Sequence, residues 1–228
     1  MRETLACLGS TDAVIGLANY SKLHEKSYHR SILFFAAARP CHEIAAIASR
    51  LNSDSLPDVY RNYLGYVACR APSDIWTVVN FFKNANLLEG VTKLLSAATL
   101  RPAEEVSQLF EFLRHQGAEA ELNKAIEYLR YSSTRRLGAY IDELQKLGDG
   151  WILSRFWEGV ADLPAEQVCE KVRALYLEGR SNDVATVLAL LSSKDTARHA
   201  AALHALDQVE RMKRSVGRAP DQKHAEDG

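Results

Sequence analysis

Twelve glycines and six prolines in 228 residues fall below the roughly 7 % and 5 % of average usage. A chain so short of turn-formers does not build the many short strands of a sandwich or barrel. Its 31 alanines and 29 leucines, about a quarter of all residues, are instead strong helix formers. An excess of charge of one sign is also missing, since 28 Lys and Arg stand against 29 Asp and Glu for a formal charge of −1. No whole-molecule field therefore draws in nucleic acid or an anionic membrane. Long hydrophobic runs are absent as well. The stretch from Ile32 to Ala38 is far short of the roughly 20 apolar residues that span a bilayer.

Cysteines are few and scattered. Cys7, Cys41, Cys69 and Cys169 form neither a C-x-x-C pair nor the dense framework of small secreted domains, and read as apolar fillers in a reducing compartment. The start Met1-Arg2-Glu3-Thr4 carries an acid where an export signal carries bases. A cytoplasmic location is the expectation. What the chain does hold is 47 % apolar and 25 % charged residues, the balance of a folded domain with a core.

The apolar residues recur with a period of 31. The blocks are 40–70, 71–101, 102–132, 133–163 and 164–194, with 10–39 as a first block shortened by one residue. The fifth position holds Val14, Ile44, Ile75, Val106, Leu137 and Val168, and the twelfth holds Leu51, Phe82, Leu113, Leu144 and Leu175. With Leu17, Ile47, Val78, Leu109, Tyr140 and Val172 between them, the spacings of three, four and seven trace one helical stripe. Position sixteen carries Gly117, Gly148 and Gly179, with Asn86 and Ser55 in the earlier blocks. Gly and Asn accept the left-handed conformation that closes a helix.

Pro40, Pro72, Pro102 and Pro164 open blocks, followed by the acids Glu43, Asp74, Glu104, Glu105 and Glu166 that suit the positive end of a helix. Ser133 and Thr134 replace proline in the fifth block as side-chain caps. A second apolar stripe follows in every block, through Ile32, Tyr63, Leu94, Ala125, Phe156 and Val187, then Ala36, Val67, Ala98, Leu129, Val160 and Leu191. Each block therefore predicts a helical hairpin. A hairpin this short cannot bury both stripes alone and must stack on its neighbours. The expected fold is all-α: a single right-handed α-solenoid domain over 1–214, with about six helix-turn-helix repeats. A short leading helix over Thr4 to Leu8 precedes the repeats. A capping helix over 195–214 turns Leu203, Leu206 and Val209 inward, and 215–228 forms a disordered tail.

The block pattern, clearest in Val106-x-x-Leu109-x-x-x-Leu113-x-x-x-Gly117, resembles the helix-turn-helix repeats of the tetratricopeptide and pentatricopeptide class. Arg101-Pro102-Ala103-Glu104-Glu105-Val106 is also similar to block starts in divergent helical-repeat proteins of actinobacteria. The resemblance covers about residues 10 to 194 and implies an architecture more than a task. The period is shorter than that of a tetratricopeptide unit, which has roughly 34 residues. Aligned on the glycine column, the positions that read RNA bases in pentatricopeptide repeats hold Ile15, Ala45, Trp76, Ser107, Gly138 and Cys169. Only Ser107 has a suitable side chain, so that code does not carry over.

Positions ten and thirteen of the first helices form a candidate binding strip, because stacked first helices commonly line the concave side of such a stack. Lys22, Asn52, Asn80, Lys83 and Arg114 lie on it, with Trp76 seven residues before Lys83 on the same face. The lysines and arginine would meet acidic groups, the asparagines would grip backbone amides, and Trp76 would anchor a peptide. The same residues also suit the plain solvated face of amphipathic helices. Arg39, Arg70 and Arg101 end three successive blocks, either as a ladder for phosphate or as cations satisfying helix C-terminal carbonyls and neighbouring carboxylates.

No nucleophile elbow, Walker loop, dinucleotide fingerprint or His-Glu-x-x-His occurs. His24 with His29, and His199 with His204, are five apart and turn to different helix faces. The expectation is a non-enzymatic scaffold or adaptor for a protein or peptide partner, with no cofactor and no metal. The alternative is an RNA-binding repeat protein.

Overall fold

A computed structural model describes residues 9–24, 26–53 and 56–216, and among them finds only helices and the turns between them. In chain order these are α1 (Thr11–His24) and α2 (Lys26–Ala37), α3 (Cys41–Ser53) and α4 (Pro57–Val67), α5 (Pro72–Asn84) and α6 (Leu88–Ala98), α7 (Ala103–His115) and α8 (Glu119–Leu129). They continue as α9 (Thr134–Lys146) and α10 (Gly150–Ala161), α11 (Ala165–Leu177) and α12 (Ser181–Lys194), then α13 (Thr196–Val216). The fold class is all-α, as the composition requires.

Helix starts repeat with the sequence period. First helices begin at Cys41, Pro72, Ala103, Thr134 and Ala165, one block apart each time, and second helices keep the same interval at Lys26, Pro57, Leu88, Glu119, Gly150 and Ser181. Local chemistry sets both ends of these helices. Pro57 and Pro72 sit in the first helical turn, while Pro102 and Pro164 occupy the cap just before it. Ser133 stands in the same place before α9, yet its side chain makes no cap hydrogen bond.

At the other end, Asn86, Gly117, Gly148 and Gly179 have φ of 56°, 65°, 64° and 76°. The left-handed residue lets two amides turn back onto the last carbonyls: Leu87 N–H donates to Phe82 O at 2.8 Å and Asn86 N–H to Lys83 O at 3.0 Å. Ala118 to Leu113 and Gly117 to Arg114 repeat the arrangement at 3.0 and 2.9 Å. Each helix is thereby closed sharply and the chain redirected into its partner.

The chain forms two compact units, Met1–Tyr131 and Ser132–Gly228. Their division falls one residue before the block boundary at 132–133. In the first unit every helix packs on its hairpin partner and on the helix after next, so α1, α3, α5 and α7 follow one another, as do α2, α4, α6 and α8. In the second, α9 packs on α10 and α11, α10 on α12, and α13 covers both α11 and α12.

The core is built from the two stripes. Ile44, Ile75, Leu137 and Val168 at position five, and Ala36, Val67, Ala98, Leu129, Val160 and Leu191 in the second helices, are fully buried. On α13 the buried residues are Ala202, Ala205 and Val209, whereas Leu203 is 45 % exposed, contrary to its expected inward placement. Ala202, Ala205 and Val209, three and four residues apart, form the buried stripe of α13, and Leu203 falls off that stripe. Trp151, expected to pack with Phe156 and Trp157, is 40 % exposed. It stands in the first turn of α10 on a different face from that pair. The expected leading helix over Thr4 to Leu8 lies outside the described residues; of the expected tail 215–228, Ser215 and Val216 continue α13 and the rest lies outside the described residues.

Candidate functional site

The candidate strip runs along α5, where Trp76, Asn80 and Lys83 share one face at helical spacings of four and three. Trp76 and Asn80 are half-buried and Lys83 is exposed. Lys83 Nζ lies 5.8 Å from the centroid of the Trp76 ring, within reach of a cation–π attraction. The same ammonium donates to Glu121 Oε1 at 2.8 Å. Glu121 sits in the first turn of α8 and is only 7 % exposed. Lys83 is therefore a tether between consecutive hairpins, with its charge already answered.

Asn52 on α3 and Arg114 on α7 are exposed on the flanking first helices. Lys22 belongs to α1, but its side chain lies outside the described residues. A shallow pocket of about 280 Å³ opens between α5 and α7, lined by Pro72, Ser73, Gln108, Glu111, Phe112 and His115. It begins one helical turn before Trp76. Its volume falls just short of the roughly 300 Å³ from which pockets enclose a small molecule.

The arginine column makes contacts inside the protein. Arg70 Nη1 donates to Ala37 O at 2.9 Å and to Arg39 O at 3.1 Å, while Nε binds Asp74 Oδ2 at 3.1 Å. Arg101 Nη1 donates to Arg70 O at 2.8 Å, and Nε binds Glu105 Oε2 at 2.6 Å. Arg39 Nη2 donates to Gly9 O, and its Nε stands 3.0 Å from Glu43 Oε2 as an ion pair. Each guanidinium thus joins the residue just before its own block to the acid four residues ahead. Of the two readings open in sequence, the structure places Arg70 and Arg101 on the carbonyls that end second helices, Arg39 on the carbonyl of Gly9 before α1, and all three on carboxylates.

In the second unit the carbonyl contacts come from other positions. Lys171 Nζ, 4 % exposed by residue, donates to Ser132 O at 2.8 Å, and burial pulls its pKa below the usual lysine value. Arg198 donates to Ala161 O and Leu163 O at 3.2 and 3.1 Å and pairs with Asp195.

Two buried carboxylates escape the sequence pattern. Glu121 and Asp183 occupy the same position two blocks apart, and both read as ordinary acids at a helix start. In the fold each accepts a cation: Lys83 for Glu121, and Arg180, at 2.7 Å, for Asp183. Arg180 also holds Asp142 at 2.7 Å. Burial pulls the Arg180 pKa down, but hydrogen bonds to Asp142 and Asp183 more than offset this and raise it. Asp142 belongs to the position-ten column, and this contact makes it a tether like Lys83. Among the described residues, no group of three or more His, Cys, Asp and Glu side chains is placed to hold a metal. No helix among them is long and apolar enough to cross a membrane.

No family of known proteins matches this chain, and no curated protein or solved structure matches it at a significant level.

Proposed function

We propose that this chain is a non-enzymatic scaffold or adaptor of the cytoplasm that binds a protein or peptide partner through the first-helix face of α5 and α7. In this reading it is a divergent member of the tetratricopeptide- and pentatricopeptide-like class. Four hairpins make up the first unit, and two with the capping helix make up the second, each stacked as a right-handed α-solenoid. The observation that carries the proposal is the half-buried Trp76. Its ring is held by Lys83, itself fixed by Glu121, one turn from the open pocket at Pro72 and Phe112.

A pre-oriented aromatic beside a shallow cleft is the usual anchor of a peptide contact. Because Glu121 already neutralises Lys83, the partner is recognised by its apolar anchor more than by acidity. Asn80 and Asn52 supply adaptable hydrogen bonds, and Arg114 a rim.

Affinity capture with the full chain, beside Trp76→Ala and Asn80→Ala chains, tests this. A partner retained by the parent and lost by Trp76→Ala supports it, and retention by both removes the site. RNA binding is the competing outcome. A salt-sensitive retardation of mixed RNA at low ionic strength that persists in Trp76→Ala would displace the scaffold reading, and for that role the guanidinium groups of Arg39, Arg70 and Arg101 would have to leave their internal partners.

A further inference from the structure

The second helices of the first unit carry a repeated order of side chains that neither the core nor the strip on α5 uses. Along α2 it is Arg30 then Phe34; along α4, Arg61 then Tyr66; along α6, Lys93 then Leu100 just past its end; along α8, Lys124 then Tyr128, with Tyr131 just past its end. Phe34, Leu100 and Tyr131 are 55 %, 64 % and 54 % exposed. Phe34 and Tyr66 touch edge to face across α2 and α4, with ring centroids 6.0 Å apart.

Because α2, α4, α6 and α8 pack in succession, their cations gather toward the starts of these helices and their exposed apolar residues toward the ends. The cations Arg30, Arg61 and Lys124 are exposed and carry no ion pair among the described residues. Lys93 is held by Glu89 at 2.7 Å. Of the acids on these helices, Asp58, Glu89 and Glu119 stand in first turns and Glu121 is buried on Lys83; Glu127 pairs with Arg130 at 3.1 Å, and Arg130 in turn stacks over the Tyr131 ring at 4.9 Å and donates to its hydroxyl at 3.0 Å.

We propose that this outward face docks an acidic amphipathic helix of a partner protein, laid across the four second helices. Packed helices lie about 8–10 Å apart, and seven residues of an α-helix advance about 10.5 Å. A heptad of apolar residues therefore meets one second helix per repeat. Its apolar side chains fill the gaps between Phe34, Tyr66, Leu100 and Tyr131, and its flanking carboxylates reach Arg30, Arg61 and Lys124. This surface is independent of Trp76.

The test uses the purified full chain and a fluorescein-labelled synthetic peptide of about three heptads, with Leu at heptad spacing and Glu and Asp along one flank, read by anisotropy. Binding that falls roughly tenfold or more in the Arg30→Glu, Arg61→Glu, Lys124→Glu chain, and returns when the peptide acids are changed to Lys, supports the proposal. Circular dichroism checks that the triple variant keeps its helices, and Leu100→Ser provides a single uncharged variant with the same expected loss. Absence of binding, indifference to the charge reversal, or equal binding of a charge-scrambled peptide overturns it. So does a single-stranded RNA that binds more tightly through the same three cations, or a concentration-dependent dimer that Leu100→Ser dissolves. Unchanged peptide binding by Trp76→Ala is expected, so failure here leaves the α5 site untouched.

Discussion

The Arg70 guanidinium donates to the main-chain carbonyl of Arg39 at 3.1 Å, and Arg101 donates in turn to the carbonyl of Arg70 at 2.8 Å. Residues one period apart are thus linked by the same bond made twice, each side chain satisfying a carbonyl that the end of a second helix leaves without a partner. Sequential hairpins are fastened at their ends as well as through their apolar stripes.

Removing one fastening has a defined cost. Arg70→Ala frees two carbonyls and the Asp74 carboxylate, and is expected to lower unfolding stability by about 1–3 kcal/mol, the range for charge-assisted hydrogen bonds at a partly buried site. Arg70→Lys should recover less than half of this, because an ammonium cannot span two carbonyls and a carboxylate as a planar fork does. Urea denaturation of the three chains measures it. Equal stability of Arg70→Ala and the parent would mean that water satisfies those carbonyls as well as the guanidinium does.

Glycines of two kinds should respond in opposite directions. Gly148→Ala places a Cβ at φ of 64° and is expected to destabilise by about 1–2 kcal/mol. Gly65 lies inside α4, where an added methyl meets nothing within 4 Å, so Gly65→Ala should stabilise by up to about 1 kcal/mol. Gly90→Ala differs from both, since its methyl would stand 2.7 Å from the Tyr60 hydroxyl and 3.1 Å from the Phe82 ring. Overpacking there should cost about 1–3 kcal/mol. Thermal unfolding of the three variants ranks them, and a stabilised Gly90→Ala would contradict the packing described.

Lys83 and Glu121 should prove energetically coupled. Lys83→Met leaves the buried Glu121 carboxylate without its cation, whereas Lys83→Met with Glu121→Leu removes both charges. A double-mutant cycle is expected to give about 0.5–2 kcal/mol of coupling, at the lower end because Lys83 is 43 % exposed and its charge is partly screened. Strict additivity would show that the contact adds nothing to stability.

Lys171 supplies a pH signature. Its pKa is lowered by burial, so between its folded value and the ordinary lysine value the unfolded chain holds the additional proton. Stability from this group accordingly rises as pH climbs through that window, by at most about 1.4 kcal/mol per unit. Burial pushes Tyr60 up to about 12, and that phenol, unlike Lys171, keeps its proton longer in the fold, so it acts in the opposite sense above its ordinary value of 10. The difference between the parent and Lys171→Met isolates the lysine. It should move in favour of the parent as pH rises toward the ordinary lysine value, and a flat difference would mean that Lys171 stays as solvated in the fold as out of it.

Period, stripe and turn were legible in the sequence because they rest on local rules. The recurrence of Val, Ile and Leu at helical spacings dictates which faces are buried, and a glycine at position sixteen dictates where the first helix ends, since both follow from backbone geometry within one hairpin. What the tertiary structure decided is where charges go. Nothing local tells that Lys83 reaches a glutamate on the following hairpin, that Arg70 turns back to a carbonyl instead of out to a phosphate, or that Asp142 is held by Arg180. Those partners are brought together by stacking one hairpin on the next. The same holds for Leu203 and Trp151, whose apolar character predicts burial until the placement of α10 and α13 leaves them facing water. Sequence determined the helices and their cores through short-range sterics and hydrophobic periodicity, while long-range packing chose the partners of the polar groups that a binding function could use.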